Sequence, residues 1–290
     1  MGRVHTAGAG ALALLMATTW PGTWSARPAH AARAEPAATA ASGTPTLLVS
    51  PAAGRNVPPG GPVTVAIAGG ALQSVTVTDG GAALPGVLGG DRTRWRSTRP
   101  TLPGRTYQVR VVTADGAART FSFATAPARA TFGIKRLLPD ETTGLTVGVG
   151  MPIMITFDQD VTDRASVERN LFVYASRPVV GAWHWFDDRT IAYRPKEFWP
   201  ARTKVRVVAR LHGVPGGEGR YGDRDYRRDF EIGRAQITTG SIRTHHMTVR
   251  RDGKAIRTIP FSAGRGGVMK YHTTSGVHLA MSREAVTVMT

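Results

Sequence analysis

Tyr107-Gln108-Val109-Arg110-Val111-Val112 is the stretch on which the fold class turns. Its apolar and polar side chains alternate, and a period of two belongs to a strand with one face in a core and the other in water. The run ends at Ala114-Asp115-Gly116, and Thr120-Phe121-Ser122-Phe123 resumes the alternation beyond that turn. Upstream, Pro62-Val63-Thr64-Val65-Ala66-Ile67 stops at Gly69-Gly70. Ser74-Val75-Thr76-Val77-Thr78 leads into Asp79-Gly80-Gly81, a hairpin signal. Trp95 sits in Arg92-Thr93-Arg94-Trp95-Arg96, ahead of a turn from Pro100 to Gly104. Strands of about five or six residues, roughly eight to twelve apart, indicate a β-sandwich over residues 45–126. The high glycine and proline content, 34 and 19 residues, suits a chain of short strands and turns.

A second unit of the same kind spans residues 127–234. Its strand candidates are Met154-Ile155-Thr156-Phe157, Leu171-Phe172-Val173-Tyr174, Gly181-Ala182-Trp183-His184-Trp185, Thr190-Ile191-Ala192-Tyr193 and Lys204-Val205-Arg206-Val207-Val208. Asp163 is placed as the N-cap of a short helical turn running to Asn170. Pro215-Gly216-Gly217-Glu218-Gly219 reads as a hairpin tip, not a phosphate loop, since no Gly-Lys-Ser/Thr follows it. Without the cysteine pair of antibody domains, only the general immunoglobulin-like architecture is implied for each unit. In residues 235–290, Ser241 to Arg250 and Ala255 to Phe261 flank Arg251-Asp252-Gly253-Lys254, where Asp-Gly predicts a tight hairpin.

The chain opens on a segment that reads as a signal peptide, residues 1–34. Arg3 and His5 form a basic start, Ala7 to Thr19 is apolar but too short to span a bilayer, and small-x-small cleavage options lie at Ala29-His30-Ala31 and Ala32-Arg33-Ala34. Residues 35–44 are small and patternless, a flexible linker. The expected location is therefore secreted and extracytoplasmic, with no transmembrane span after cleavage. Formal charge is +17; the first 34 residues carry Arg3, Arg27 and Arg33 and no acid, which leaves +14 beyond them. So large a charge attracts polyanions, which outside a cell are wall polymers or lipid headgroups, not nucleic acid. Arginine-rich, alanine-rich usage is also common in GC-rich coding, so charge alone names no partner. The 290 residues contain no cysteine, which removes thiol nucleophiles, cysteine-type zinc sites and disulfides together.

Residues 127–290 resemble the L,D-transpeptidases of mycobacteria and related actinobacteria. The resemblance lies in Gly148-Val149-Gly150-Met151-Pro152-Ile153 with Thr156-Phe157-Asp158, and in Val161-Thr162-Asp163 leading to Val167-Glu168-Arg169. It continues through Trp183-His184-Trp185, Tyr193-Arg194-Pro195-Lys196-Glu197-Phe198-Trp199-Pro200-Ala201, Leu211-His212-Gly213-Val214 and Gly219-Arg220-Tyr221-Gly222. Residues 45–126 fit that family's first immunoglobulin-like module less specifically. The implied fold is all-β: two tandem immunoglobulin-like sandwiches, then the first strands of an incomplete L,D-transpeptidase catalytic domain. The implied function is wall cross-linking. A cysteine thiolate attacks a donor stem peptide after its third residue, terminal D-Ala leaves, and the acyl group passes to the side-chain amine of another stem's third residue. A histidine and oxyanion donors complete such a site. The family supplies them with a Ser-His-Gly-Cys block that this sequence lacks. No catalytic residue is therefore carried over, and no cofactor is implied. Met289 alone is carried over, as a substrate contact on the donor side. Implied partners are peptidoglycan stem peptides, joined by anionic wall polymers on the strength of the charge. Residues 235–290 match only the opening of the catalytic domain, so the chain reads as truncated, inactive as a transpeptidase and prone to expose apolar strand edges there.

Other constellations are weighed against plainer accounts. His245 and His246, adjacent on a strand, would point to opposite faces and could not chelate together; with His272 and His278 they show no metal-ligand spacing. Asp158, Asp160 and Asp163 hint at calcium but lack the loop order and distal Glu of such a site, and a turn with one capping Asp accounts for them better. Ser262 and Thr273 lie beside glycine runs and read as turn chemistry. Trp183 and Trp185 share a strand face, packed between the two modules by default or open as a stacking platform for sugars. Arg194 and Lys196 likewise share a face, either solvated or turned to wall anions. Two readings stay open: an L,D-transpeptidase family protein without its catalytic block, or a non-catalytic wall-binding tandem module.

Overall fold

The computed structural model describes residues 45–141, 145–264 and 273–279. The expected signal peptide and linker lie outside the described residues.

The first sandwich consists of β1 (Thr46–Ser50), β2 (Gly54–Val57), β3 (Thr64–Ala68), β4 (Leu72–Asp79), β5 (Ala82–Ala83), β6 (Gly86–Leu88), β7 (Arg94–Ser97), β8 (Thr106–Thr113) and β9 (Ala118–Thr125). One sheet runs β1-β3-β7-β6, the other β2-β9-β8-β4-β5. In β8 the alternation read from the sequence is physical: Tyr107, Val109 and Val111 are buried while Gln108 and Arg110 face solvent. Val65, Leu72, Val77, Trp95 and Phe123 fill the rest of this core. Tyr107 stacks on Phe123 with ring centres 5.2 Å apart, and its hydroxyl accepts the Leu102 N–H at 2.7 Å. Asp79 and Ala82 pair across Gly80 and Gly81, both with positive φ, so the glycines supply the left-handed turn the hairpin needs.

β10 (Ala130–Phe132), β11 (Ile134–Leu138), β12 (Thr146–Val147) and β13 (Ile153–Phe157) begin the second sandwich. α1 (Arg164–Glu168), β14 (Leu171–Ala175), β15 (Gly181–Trp185), β16 (Thr190–Pro195), β17 (Lys204–Ala209), β18 (Pro215–Gly217), β19 (Arg220–Gly222) and β20 (Tyr226–Ile232) complete it. Its sheets are β11-β13-β16-β15 and β12-β20-β17-β14, with a small β10-β19-β18 sheet at one end. Between them lie Ile153, Ile155, Phe157, Ile191, Val205, Val207, Phe230 and Ile232. Each such burial contributes roughly 1.5–3 kcal/mol before the entropy of ordering is counted. Asp163 caps α1 as expected, its carboxylate accepting the Ser166 N–H at 3.1 Å. The predicted tip at 215–219 is the β18–β19 hairpin.

The two sandwiches meet along a seam. Arg99 pairs with Asp225 at 2.5 Å. Gly60, with φ of +86°, lies so close to the far side that a Cβ there would come within 2.9 Å of Pro215. A Cβ on Gly213 would come within 2.6 Å of Leu102.

β21 (Gln236–Ser241), β22 (His246–Arg251) and β23 (Lys254–Pro260) form an antiparallel meander. Asp252 and Gly253 make its predicted two-residue turn with φ of +48° and +83°. The expected single run from Ser241 to Arg250 is corrected, because residues 242–245 form a turn that separates two strands. His245 therefore sits in a left-handed turn with φ of +54°, not on a strand beside His246. Asp252 ties the meander to the second sandwich, receiving hydrogen bonds from Arg202 and from the Ala235 N–H, each at 3.1 Å.

Candidate functional site

The motifs that carry the resemblance converge on structural duties. Trp199 is buried, its indole N–H donates to the Met151 carbonyl at 2.6 Å, and its backbone N–H donates to Val149 at 2.8 Å. The Phe198-Trp199-Pro200 run thus clamps the Gly148–Pro152 loop, and Thr203 hydrogen-bonds back to the Pro200 carbonyl at 2.6 Å. The Leu211-His212-Gly213-Val214 and Gly219-Arg220-Tyr221-Gly222 stretches build the seam. His212 N–H donates to Asp225, and a Cβ on Gly222 would fall 1.9 Å from the Leu211 carbonyl oxygen.

Trp183 and Trp185 overturn the expectation that they pack between modules. Both lie against the second sandwich's own core. Trp185 stacks on Phe157 at 5.8 Å under the Arg164 guanidinium, and Trp183 meets Tyr193 edge-on at 5.4 Å. Both rings remain partly exposed beside these contacts. The three aspartates separate in the same way: Asp158 accepts the Gly133 N–H, Asp160 pairs with Arg189, and Asp163 caps α1. Among the described residues no three His, Cys, Asp or Glu side chains gather as a metal site would need. Thr273 accepts the Gly264 N–H at 2.8 Å, a contact between residues nine apart in sequence and not a local turn. Arg194 and Lys196 are both exposed and flank Phe198 at the mouth of a cleft. Met289 lies outside the described residues. No helix among the described residues is long and apolar enough to cross a membrane.

What the sequence reading missed is a face. On the outer side of the β12-β20-β17-β14 sheet, register places Tyr174 opposite Arg206 and Arg206 opposite Asp229. Phe172 stands opposite Val208, and Val208 opposite Arg227. Phe172 and Tyr174 stack, ring centres 6.4 Å apart and planes 19° apart, and Arg210 lies over Phe172 at 5.1 Å. Tyr174 is half exposed at 50%. Arg206 and Arg227 both grip Asp229, with contacts of 2.6 Å each, and hydrogen bonds first from Arg206 and then from Arg227 hold that carboxyl below its ordinary value. The open groove over this face has a volume of about 1040 Å³. Phe172 and Tyr174, like Lys204 and Arg206, lie two apart and so share a strand face, but their alignment across three strands requires register, which no single strand encodes.

The bacterial Ig domain family matches residues 54–215, more than half of the chain, so the chain belongs to that family. Its relatives narrow the setting to mycobacterial L,D-transpeptidases, with which it is homologous. It is 33% identical to L,D-transpeptidase 5 of Mycobacterium tuberculosis over 82% of this chain and 54% of that protein. L,D-transpeptidase 2 of the same species is 33% identical over 77% of this chain and 54% of its own length. A solved L,D-transpeptidase in complex with imipenem is 32% identical over 46% of this chain and 55% of that one, with a TM-score of 0.38. The chain spans about half the length of the curated relatives it matches.

Proposed function

We propose that this chain is the exported, wall-facing immunoglobulin-like portion of a peptidoglycan L,D-transpeptidase, and that these 290 residues do not themselves carry out acyl transfer. The observation that carries the reading is the reach of the similarity combined with a missing element. A match over 82% of the chain is longer than residues 45–234, so it extends beyond the two sandwiches, yet the sequence holds no cysteine. Acyl transfer through a thiolate needs that sulfur. In this reading residues 1–34 direct export and residues 35–44 form a tether. Residues 45–126 and 127–234 are the two sandwiches, and residues 235–290 open the catalytic domain. Stem peptides of the wall, cross-linked between third residues in the family, are then the substrate of the complete enzyme, and anionic wall polymers are a partner of the basic surface.

Because a solved relative is described in complex with imipenem, that carbapenem is a direct probe. Intact mass spectrometry of the purified chain after incubation with imipenem is expected to give the unmodified mass. A stoichiometric adduct would overturn the assignment. The alternative, a purely wall-binding tandem module, is favoured by the exposed cationic face on the second sandwich. Co-sedimentation with isolated wall sacculi at low salt tests it, and failure to pellet would count against wall placement in either form.

A further inference from the structure

We infer that the outer face of the β12-β20-β17-β14 sheet is a docking surface for an acidic polysaccharide, with Tyr174 as the stacking platform and Lys204 and Arg210 as cationic contacts. This deepens the wall-facing reading above and rests on it. Four observations converge on the chemistry. First, Tyr174 presents a half-exposed ring stacked with Phe172, two residues earlier on the same strand face, and Phe172 is itself covered by Arg210. A ring so stacked keeps its orientation, and an aromatic face with a polar tip suits the apolar side of a pyranose. Second, Arg206, Asp229 and Arg227 form a hydrogen-bonded array beside that ring. Guanidinium donors and a fixed carboxylate acceptor, side by side, match sugar hydroxyls, which both donate and accept.

Third, the charge of the face is unbalanced. Lys204, Arg206, Arg210 and Arg227 stand against Asp229 and Glu231, and among the described residues neither Lys204 nor Arg210 has a carboxylate within ion-pair distance. The net positive sign selects an anionic partner. Fourth, Asp229 lies in the same cross-strand row as Tyr174, with Arg206 between them. Because Arg206 and Arg227 already bracket that carboxylate, the open charges are Lys204 and Arg210 on either side of Arg206 along the chain, and a polysaccharide with spaced carboxylates can place its charges on those two while a ring lies on Tyr174. Sugar rings bearing carboxylates satisfy all four conditions.

The test uses the full chain and three probes. The first is glycan strands freed of their stem peptides by an amidase, so that each lactyl ether ends in a free carboxylate. The second is the same strands with those carboxylates converted to neutral amides, and the third is an oligothymidylate. The stripped strands are expected to bind in a salt-sensitive manner. Amidation, and separately Tyr174→Ala, is expected to weaken binding about tenfold, while Tyr174→Phe retains it. Thermal melting of each variant shows that the sandwich is intact. Binding unchanged by Tyr174→Ala, unchanged by amidation, or exceeded by oligothymidylate would overturn the inference. Sacculus co-sedimentation run alongside separates the two failures. Walls that still pellet the wild-type chain while the stripped strands do not bind would refute this surface but leave wall placement standing.

Discussion

Residue by residue, the chain spends its most distinctive side chains on holding loops. Trp199 is the clearest case: its ring is buried and its N–H satisfies a carbonyl that belongs to a loop with no ladder of its own. Trp199→Phe keeps an aromatic ring but orphans the Met151 carbonyl. Urea denaturation is expected to show a loss of about 1–3 kcal/mol, the cost of an unsatisfied buried polar group. A midpoint unchanged from wild type would show that the hydrogen bond adds nothing. Asp163 was readable from sequence because an N-cap is a local event, one side chain reaching its own helix. The two tryptophans on β15 were misassigned for the opposite reason. Their shared face follows from strand periodicity, but whether that face meets a neighbouring module or its own sheet partner depends on packing across the chain. Phe157, 28 residues upstream of Trp185, decides it.

Among the elements, β8 was legible and β20 was not. β8 alternates small apolar and polar residues, so its pattern is open. β20 reads Tyr-Arg-Arg-Asp-Phe-Glu-Ile, and its exposed charges conceal that Phe230 and Ile232 enter the core. Hairpins were legible wherever glycine supplied a positive φ, at Gly80-Gly81 and Gly253, because the turn chemistry is confined to two residues. The meander poses a sharper question. Every described side chain of β23 except Ile259 is exposed, and Ile256 is 49% exposed, while β13 is buried at alternate positions between two neighbours. Amide exchange is therefore expected to be at least tenfold faster across Lys254–Pro260 than across Ile153–Phe157. Equal protection would mean that β23 is stabilised by more than its single ladder to β22.

Across the whole molecule, the position of the seam was hidden in the sequence, because its two halves lie more than a hundred residues apart. Gly60 and Gly213 mark it, since each allows a backbone approach that a side chain would block. The exposed Arg99–Asp225 pair contributes little by itself, about 0–1 kcal/mol, so close fit and not charge fixes the angle. Gly60→Ala is expected to spread the two sandwiches while leaving each core folded. Small-angle scattering would register a larger radius of gyration with an unchanged β spectrum by circular dichroism, and an unchanged radius would remove the glycine from this role. Both sandwiches also fasten an early strand parallel to a late one, β2 beside β9 and β12 beside β20. When such a chain is stretched between an anchor and a load, the paired strands are drawn in opposite directions along their own axes. The bonds from Ala126 to Val57 and from Gly233 to Val147 then fail in shear, together, not peeled off one after another. Tension along the polypeptide meets a mechanical clamp of this kind in each sandwich once it has passed the strands that come earlier in the chain, β1 in the first and β10 and β11 in the second.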